Sequence, residues 1–319
     1  MRSQEGTALR SHGPGPELAV EEISLTAGPG ETLVEMRLAA VTSQDRAVLG
    51  GKQPDAPFTP GSEGYGVVIS SSVAETGAGV VLRGEGIGVT RPGLWGRYAV
   101  VPDAAVHAVP ASMEPATALA LLTPALTAHT AVRRVGQVLA GETVVVTGIT
   151  GLVARLCAAV ARSAGAARVI GLAGVSESVA LVGDLVDQIV RVDELGQVGR
   201  DLSWCDLAVD TLGGPVTSGV LGHITPGGRI ALLGYKTGEF TTLDLHQLIG
   251  RDLRVLPVNV QRTTLEPGAV GQALADIAPA RLRPEVDLLP ASRISEVLDR
   301  SASGARILLD LTALGGTSS

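Results

Sequence analysis

The apolar run Val144 to Thr147 leads directly into Gly148-Ile149-Thr150-Gly151-Leu152-Val153-Ala154, after which Ala and Leu recur at helical spacing. A strand that turns on glycine into a helix presents the first-turn amides, here those of Gly151, Leu152 and Val153, as unpaired donors at the positive end of the helix dipole. With Thr150 inside it, such a turn suits a pyrophosphate. Any tight strand-to-helix turn also needs glycine, so the surrounding pattern has to decide.

A dinucleotide site that prefers a free ribose usually carries an Asp or Glu about 20 residues further on, at the end of the second strand. Gly171-Leu172-Ala173-Gly174-Val175-Ser176 fills that stretch without an acid. Nothing in it opposes a 2'-phosphate, so NADPH is expected rather than NADH, with Ser176 among the cofactor-binding candidates. Cations for that phosphate are scarce, since the lysines are Lys52 and Lys236, neither near the turn. Arg191 and Arg306 are the remaining candidates.

Other chemistries lack their residues. His12, His107, His129, His223 and His246 fall in different segments without metal-ligand spacing, and Cys157 and Cys205 are too few for a disulfide framework or a four-thiolate zinc site. A reduced compartment is expected. Seven aromatic residues, dispersed from Phe58 to Phe240, build no stacking platform for bases or sugars. A net charge of -7 without a Lys/Arg block gives no footprint for nucleic acid or anionic lipid, and points to a small-molecule partner. The opening MRSQEGTALRSHGPGPELAV has no apolar signal-peptide core, so a cytoplasmic location is expected. The uncharged run Pro115 to Val132 is interrupted by Pro124, His129 and four threonines, which marks a buried domain junction rather than a membrane span.

The elements around these residues fall into two grammars. The first hundred residues show short apolar or alternating runs (LAVEEISL, ETLVEMRLAAV, GYGVVISSSV, GRYAVVP) bounded by Gly/Pro turns, the pattern of a β-module. From residue 117 to 256, short strands (ETVVVTG, RVIGLAG, DLAVDTLGG, RIALLGY) alternate with helical segments, which predicts a doubly wound parallel sheet. The tail, 257–319, has too little core to fold alone and is expected to return to residues 1–116 and complete that module.

Eight ordered segments give the chain a family resemblance: PGSEGYGVV (60–68), GRYAVVP (96–102), LTPALTAHTAV (122–132), GETVVVTGITGLVA (141–154), DLAVDTLGG (206–214), ITPGGRIALLG (224–234), LRPEVD (282–287) and SGARILLDL (303–311). Together they resemble the medium-chain dehydrogenase/reductase superfamily, within it the zinc-free quinone oxidoreductase and enoyl reductase branch. The resemblance implies an α/β protein with a GroES-like β-rich catalytic domain, a Rossmann domain, an active site in the cleft, and a homodimer joined through the Rossmann sheet edge.

It also implies roles. Thr127 and the loop Leu233, Gly234 and Tyr235 would lie beside the nicotinamide and its ribose, with His129 two residues from Thr127. Val258 and Asn259 would meet the carboxamide, and Arg306 stands where relatives have a Lys near the phosphates. Zinc-dependent relatives have Cys and His where this chain has Thr42 and Ser62, and hydroxyls there cannot build that site. The catalytic candidates are Thr42, Asp45, Ser62 and Tyr65, with Glu63 beside them and Tyr235 opposite, as donors to a developing oxyanion or its protonation. The implied activity is zinc-independent, NADPH-dependent reduction of an enone, an enoyl thioester or a quinone, with an aliphatic α,β-unsaturated carbonyl compound as substrate. The chain departs from the branch at Thr42 (usually Asn), Ala47 (often Tyr), Ala154 (third glycine) and Ser178 (frequently Lys). These departures leave open a scaffold that has lost hydride transfer and catalyses a cyclisation, elimination or isomerisation, or acts without catalysis as a partner.

Overall fold

The structure, a computed structural model, describes residues 3–52, 56–193, 197–198, 201–260, 266, 268–298 and 305–314. Its elements are β1 Ser3–Arg10, β2 Ala19–Thr26, β3 Glu31–Ala40, α1 Ser43–Ala47, β4 Glu63–Ser70, β5 Gly79–Arg83, β6 Tyr98–Pro102, β7 Val106–Ala108 and α2 Pro115–His129. They continue with β8 Thr143–Thr147, α3 Leu152–Ser163, β9 Arg168–Gly174, β10 Gln188–Val192, β11 Cys205–Asp210, α4 Gly214–Leu221, β12 Ile224–Leu232, α5 Leu245–Gly250 and β13 Arg254–Pro257. The last are α6 Ala269–Ile277, β14 Val286–Pro290, α7 Ile294–Leu298 and β15 Arg306–Asp310.

The chain divides into two compact units, one of residues 1–121 and 283–319, the other of residues 122–282. The boundary falls inside α2, whose Ala118 to Leu122 are buried. Among the described residues no helix is long and apolar enough to cross a membrane.

In the first unit β3 is the central strand. It pairs antiparallel with β4, β6 and β15, within a sheet ordered β14-β15-β3-β4-β5-β7. Leu33, Val34 and Met36 of β3 are fully buried with Trp95, whose indole donates to the Ala40 carbonyl at 3.2 Å. Gly61 follows from that packing, because at φ +106 a Cβ would lie 2.4 Å from the Trp95 ring. β14 and β15 come from the tail, which therefore completes this sheet.

The second unit is a six-stranded parallel sheet ordered β10-β9-β8-β11-β12-β13. Numbered from β8, that order is 3-2-1-4-5-6, the Rossmann arrangement, whose strand order reverses between β8 and β11. Val144 to Val146 and Leu207 to Val209 are buried because a parallel sheet is covered on both faces. The segment 257–282 departs from expectation. It belongs to this second unit, where α6 packs on α3, so the returning tail starts at Arg283. Cys157 and Cys205 are free and buried, and burial pushes both thiols up to about 12.

A polar side chain on α6 explains part of this placement. Asp276, 2% exposed, accepts hydrogen bonds from Arg133 Nε (2.7 Å) and Nη2 (2.8 Å), Ser163 Oγ (2.8 Å) and Gln272 Nε2 (3.0 Å), and lies 3.2 Å from His129 Nδ1. Burial alone would raise its pKa, but these hydrogen bonds outweigh burial and hold the carboxyl well below the usual carboxylate range. Because the folded value is the lower one, the stabilisation is present above the unfolded pKa and is lost as pH falls through the folded value. Urea denaturation at a series of pH values is expected to show wild-type stability dropping by roughly 2 kcal/mol on acidification through that window, an acid limb that Asp276→Asn flattens.

Candidate functional site

The glycine turn sits at the end of β8, beside the point of strand-order reversal. Gly148 is at φ +63, and a Cβ there would meet Thr211 Oγ1 at 2.8 Å and Leu212 at 2.9 Å. Ile149, fully buried, anchors the turn through its amide to the Leu172 carbonyl (2.9 Å) and packs where Gly171 has no side chain. Gly151 is the N-cap of α3, with φ -74 and ψ 150 and no side-chain cap. Its own amide is satisfied by the Gly148 carbonyl at 2.9 Å, and its carbonyl accepts from the Arg155 amide at 3.0 Å. The expectation that Gly151 is an open donor is thus corrected. Leu152, Val153 and Ala154 hold the first-turn amides, in a turn without acidic residues.

Asp210, at the end of β11, was not singled out from the sequence, although an acid between an apolar strand and TLGG was a readable signal. It is fully buried and accepts from Thr147 Oγ1 (2.6 Å), Thr217 Oγ1 (2.5 Å), and the amides of Leu212 (3.0 Å) and Gly213 (3.2 Å). Thr211 returns to β8 through its hydroxyl to the Thr147 carbonyl and its amide to Thr147 Oγ1, both at 2.9 Å. These bonds fix the ends of β8 and β11 against each other and so fix the glycine turn.

The acid-free stretch after β9 ends one residue too early. Glu177 is an acid at this turn, and its Oε2 accepts from the Gly174 amide (3.0 Å) and from Thr150 Oγ1 (3.1 Å) of the glycine turn. Arg191 on β10 donates to the Gly174 and Glu177 carbonyls at 2.8 and 2.9 Å and is exposed, as is Ser176.

At the end of β12, Leu233 donates to the Asp210 carbonyl at 2.8 Å, and Gly234 passes so close to Thr211 that a Cβ would lie 2.4 Å from its carbonyl oxygen. Tyr235 is 69% exposed, which excludes a core role for the ring. Val258 donates to the Leu232 carbonyl at 2.9 Å, and Asn259 is exposed beside it. Thr127 is half-buried, and its hydroxyl is spent on the Thr123 carbonyl at 2.9 Å. The second unit thus brings Thr150, Gly151, Leu152 and Val153 to the sheet's carboxyl end with Ser176, Arg191, Leu233, Gly234 and Val258.

In the first unit Thr42 and Ser62, each 8% exposed, have hydroxyl oxygens 3.1 Å apart. Asp45 is fully buried beneath them, with Oδ2 accepting from the Thr42 amide (2.7 Å) and hydroxyl (2.6 Å) and Oδ1 from the Ser62 amide (2.8 Å). Burial and the charge of Glu63 raise the Asp45 pKa against these hydrogen bonds. Thr42 and Asp45 form a capping box at α1, so Asp45 fixes the Thr42 hydroxyl and the Ser62 amide. Tyr65 lies further along β4 with its hydroxyl over Gly79, where a Cβ would be 2.3 Å away. Arg306 is placed against Glu63 (3.6 Å), which also pairs with Arg83 (3.0 Å), so its guanidinium already has a carboxylate neighbour in its own unit. Among the described residues, no group of three or more His, Cys, Asp or Glu converges to hold a metal.

Comparison with known proteins agrees with this architecture. Residues 28–111 match the alcohol dehydrogenase GroES-like domain family. The chain is 28% identical over 225 residues to the synaptic vesicle membrane protein VAT-1 homolog of Homo sapiens, covering 65% of this chain and 54% of that protein, so it spans about half of that relative's length. It is 27% identical over 259 residues to quinone oxidoreductase-like protein 2 of Rattus norvegicus, covering 75% of this chain and 71% of that one. Its fold is similar to that of the yhdH oxidoreductase from Salmonella enterica in complex with NADP, with a TM-score of 0.65 and 21% identity over 96% of this chain and 99% of the other. A GroES-like unit, a Rossmann sheet in 3-2-1-4-5-6 order and these likenesses make the chain similar in sequence and fold to the medium-chain dehydrogenase/reductase superfamily.

Proposed function

We propose that the protein is a zinc-independent, NADPH-dependent reductase acting on an activated double bond, in an enone or enoyl thioester, or on a quinone. The observation that carries this reading is the glycine turn at the strand-order reversal. Its N-cap has no side chain, its first turn has no acid, and the Asp210 network holds it rigid. These features fit a pyrophosphate. The names of the relatives, a quinone oxidoreductase-like protein and an oxidoreductase in complex with NADP, support the chemistry.

Leu152, Val153 and Thr150 would hold the pyrophosphate, and Leu233, Gly234, Val258 and Asn259 would border the nicotinamide. When bound, NADPH supplies a hydride. The protein then has to stabilise charge on the substrate oxygen, for which the Ser62 hydroxyl is the donor of the pair, because the single O–H of Thr42 is given to Asp45. Hydroxyls in place of thiolate and imidazole do not supply the ligands of a zinc site.

NADPH oxidation, followed by loss of its absorbance against enones, enoyl thioesters and quinones, is expected to turn over at on the order of 1–10 per second for one class. Binding without oxidation of any class would favour the non-redox alternative.

A further inference from the structure

Ser62, Thr42 and Asp45 form a hydrogen-bonded path from the surface of the first unit into its core. Ser62 Oγ is 3.1 Å from Thr42 Oγ1, which is 2.6 Å from Asp45 Oδ2. The two hydroxyl residues are each 8% exposed and Asp45 is fully buried, so the path opens at the hydroxyls and is closed at the carboxyl. Capping of α1 accounts for the bonds between Thr42 and Asp45. It requires neither the burial of the carboxyl nor its second anchor, the Ser62 amide 17 residues away at 2.8 Å from Oδ1.

Burial, with the charge of Glu63, raises the Asp45 pKa and favours the protonated carboxyl against the hydrogen bonds that oppose it. The nearby cations are turned elsewhere. Arg83 (3.0 Å) and Arg306 (3.6 Å) face Glu63, and Arg46 on α1 donates to the carbonyls of Leu298 (2.6 Å) and Val297 (2.9 Å). The contact between Thr42 and Asp45 carries a proton in either direction. An ionised Asp45 accepts from Thr42, whereas a protonated one donates to Thr42 Oγ1 and frees the single O–H of Thr42 for Ser62.

We propose that Asp45, Thr42 and Ser62 are a proton relay that completes reduction of an enone or enoyl thioester. The relay rests on the reductase reading and names the source of the proton in that reaction. Hydride from NADPH forms a C–H bond at the β-carbon, and the electron pair of the double bond moves to the carbonyl oxygen. Ser62 gives its proton to that oxygen, Thr42 gives its own to Ser62, and Asp45 gives its own to Thr42. The negative charge thus ends on Asp45, held by the Thr42 hydroxyl. The released enol becomes the saturated carbonyl compound in water, which takes the oxygen-bound proton and supplies one to the α-carbon. Water then reprotonates Asp45 through the same two hydroxyls.

Initial rates of NADPH oxidation with cyclohexenone and with crotonyl-coenzyme A test this in wild type, Asp45→Asn, Thr42→Val and Thr42→Ser. Wild-type kcat is expected to fall as pH rises through the ionisation of Asp45, because the relay starts from the protonated acid. Asp45→Asn and Thr42→Val are expected to lose about 100-fold in kcat, with KM changed by less than about threefold, and to lose that basic limb. Thr42→Ser restores the hydroxyl and is expected to run about thirtyfold faster than Thr42→Val, with the limb restored. In mixtures of water and heavy water the wild-type rate is expected to curve with deuterium content as several protons move together, and that of Thr42→Val to stay linear.

If Asp45→Asn does not fold, the contrast between valine and serine at position 42 decides alone. A wild-type profile without the basic limb, or Thr42→Val turning over at the wild-type rate, overturns the relay and leaves the reductase reading standing. Turnover of benzoquinone alone overturns the relay too. A wild-type protein that oxidises NADPH with none of the three compounds overturns the reductase reading itself.

Discussion

Replacing Gly151 with aspartate is expected to abolish dinucleotide binding and leave the apoprotein folded. Gly151 has extended backbone angles (φ -74, ψ 150) at an N-cap, the conformation and position that Asp prefers. A Cβ would have the Gly148 carbonyl oxygen 3.2 Å away, a contact relieved by a shift of a few tenths of an ångström. The new carboxylate would cap the Val153 or Ala154 amide and so occupy a donor intended for the pyrophosphate. It would also place like charge against the ligand. Unit charges about 4 Å apart repel by about 4 kcal/mol at an effective dielectric constant of about 20, which is about three decades in affinity. A thermal-shift titration should show the wild type stabilised by NADPH through mass action and Gly151→Asp unresponsive, with an apoprotein midpoint no lower than that of the wild type. An undiminished shift in the variant would remove the glycine turn from the site.

Arg229→Leu is expected to cost about 3–5 kcal/mol of stability in the second unit, the range for breaking a buried ion pair by removing one partner. Arg229 is 5% exposed and binds Glu142 in a fork, Nη1 to Oε1 at 2.8 Å and Nη2 to Oε2 at 2.7 Å. It also donates to the carbonyls of Gly136 (2.5 Å), Gln137 (2.8 Å) and Asp206 (3.1 Å). Leucine would leave all of these acceptors without their donor. Burial pushes Glu142 up, but its bonds to Arg229 and to the Leu139 amide bring its pKa below the ordinary 4.5. Wild-type stability from this pair is therefore present above that value and lost as pH falls through the depressed one, a dependence that the variant lacks. Denaturant midpoints at neutral and acid pH measure both effects.

Why some of this was legible in sequence and some was not follows from distance along the chain. The strand, glycine turn and helix from Val144 to Ala159 form a local pattern, and its period of apolar residues and the glycine placement survive folding. β15 pairs antiparallel with β3, a partnership between residues about 270 positions apart that no local pattern specifies. PGAVGQALADIAP showed a helix but carried no address. The packing of α6 in the second unit depends on Asp276 meeting Ser163 and Arg133, 113 and 143 residues away. Asp45 was read as chemistry, yet Thr42-Ser43-Gln44-Asp45 is a T-x-x-D capping pattern, and the structure uses it as one. Glu177 escaped a window defined by a fixed interval. Its proximity to Thr150 arises from the parallel pairing of β8 with β9, which no spacing rule encodes.

The central claim is that the amides opening α3 hold the pyrophosphate of a nicotinamide dinucleotide. A crystal structure of the protein soaked with NADPH tests it most directly. The account predicts phosphate oxygens within hydrogen-bonding distance of the Leu152 and Val153 amides, with the adenosine ribose beside Glu177. A cofactor bound elsewhere, or none bound at millimolar concentration, would contradict it.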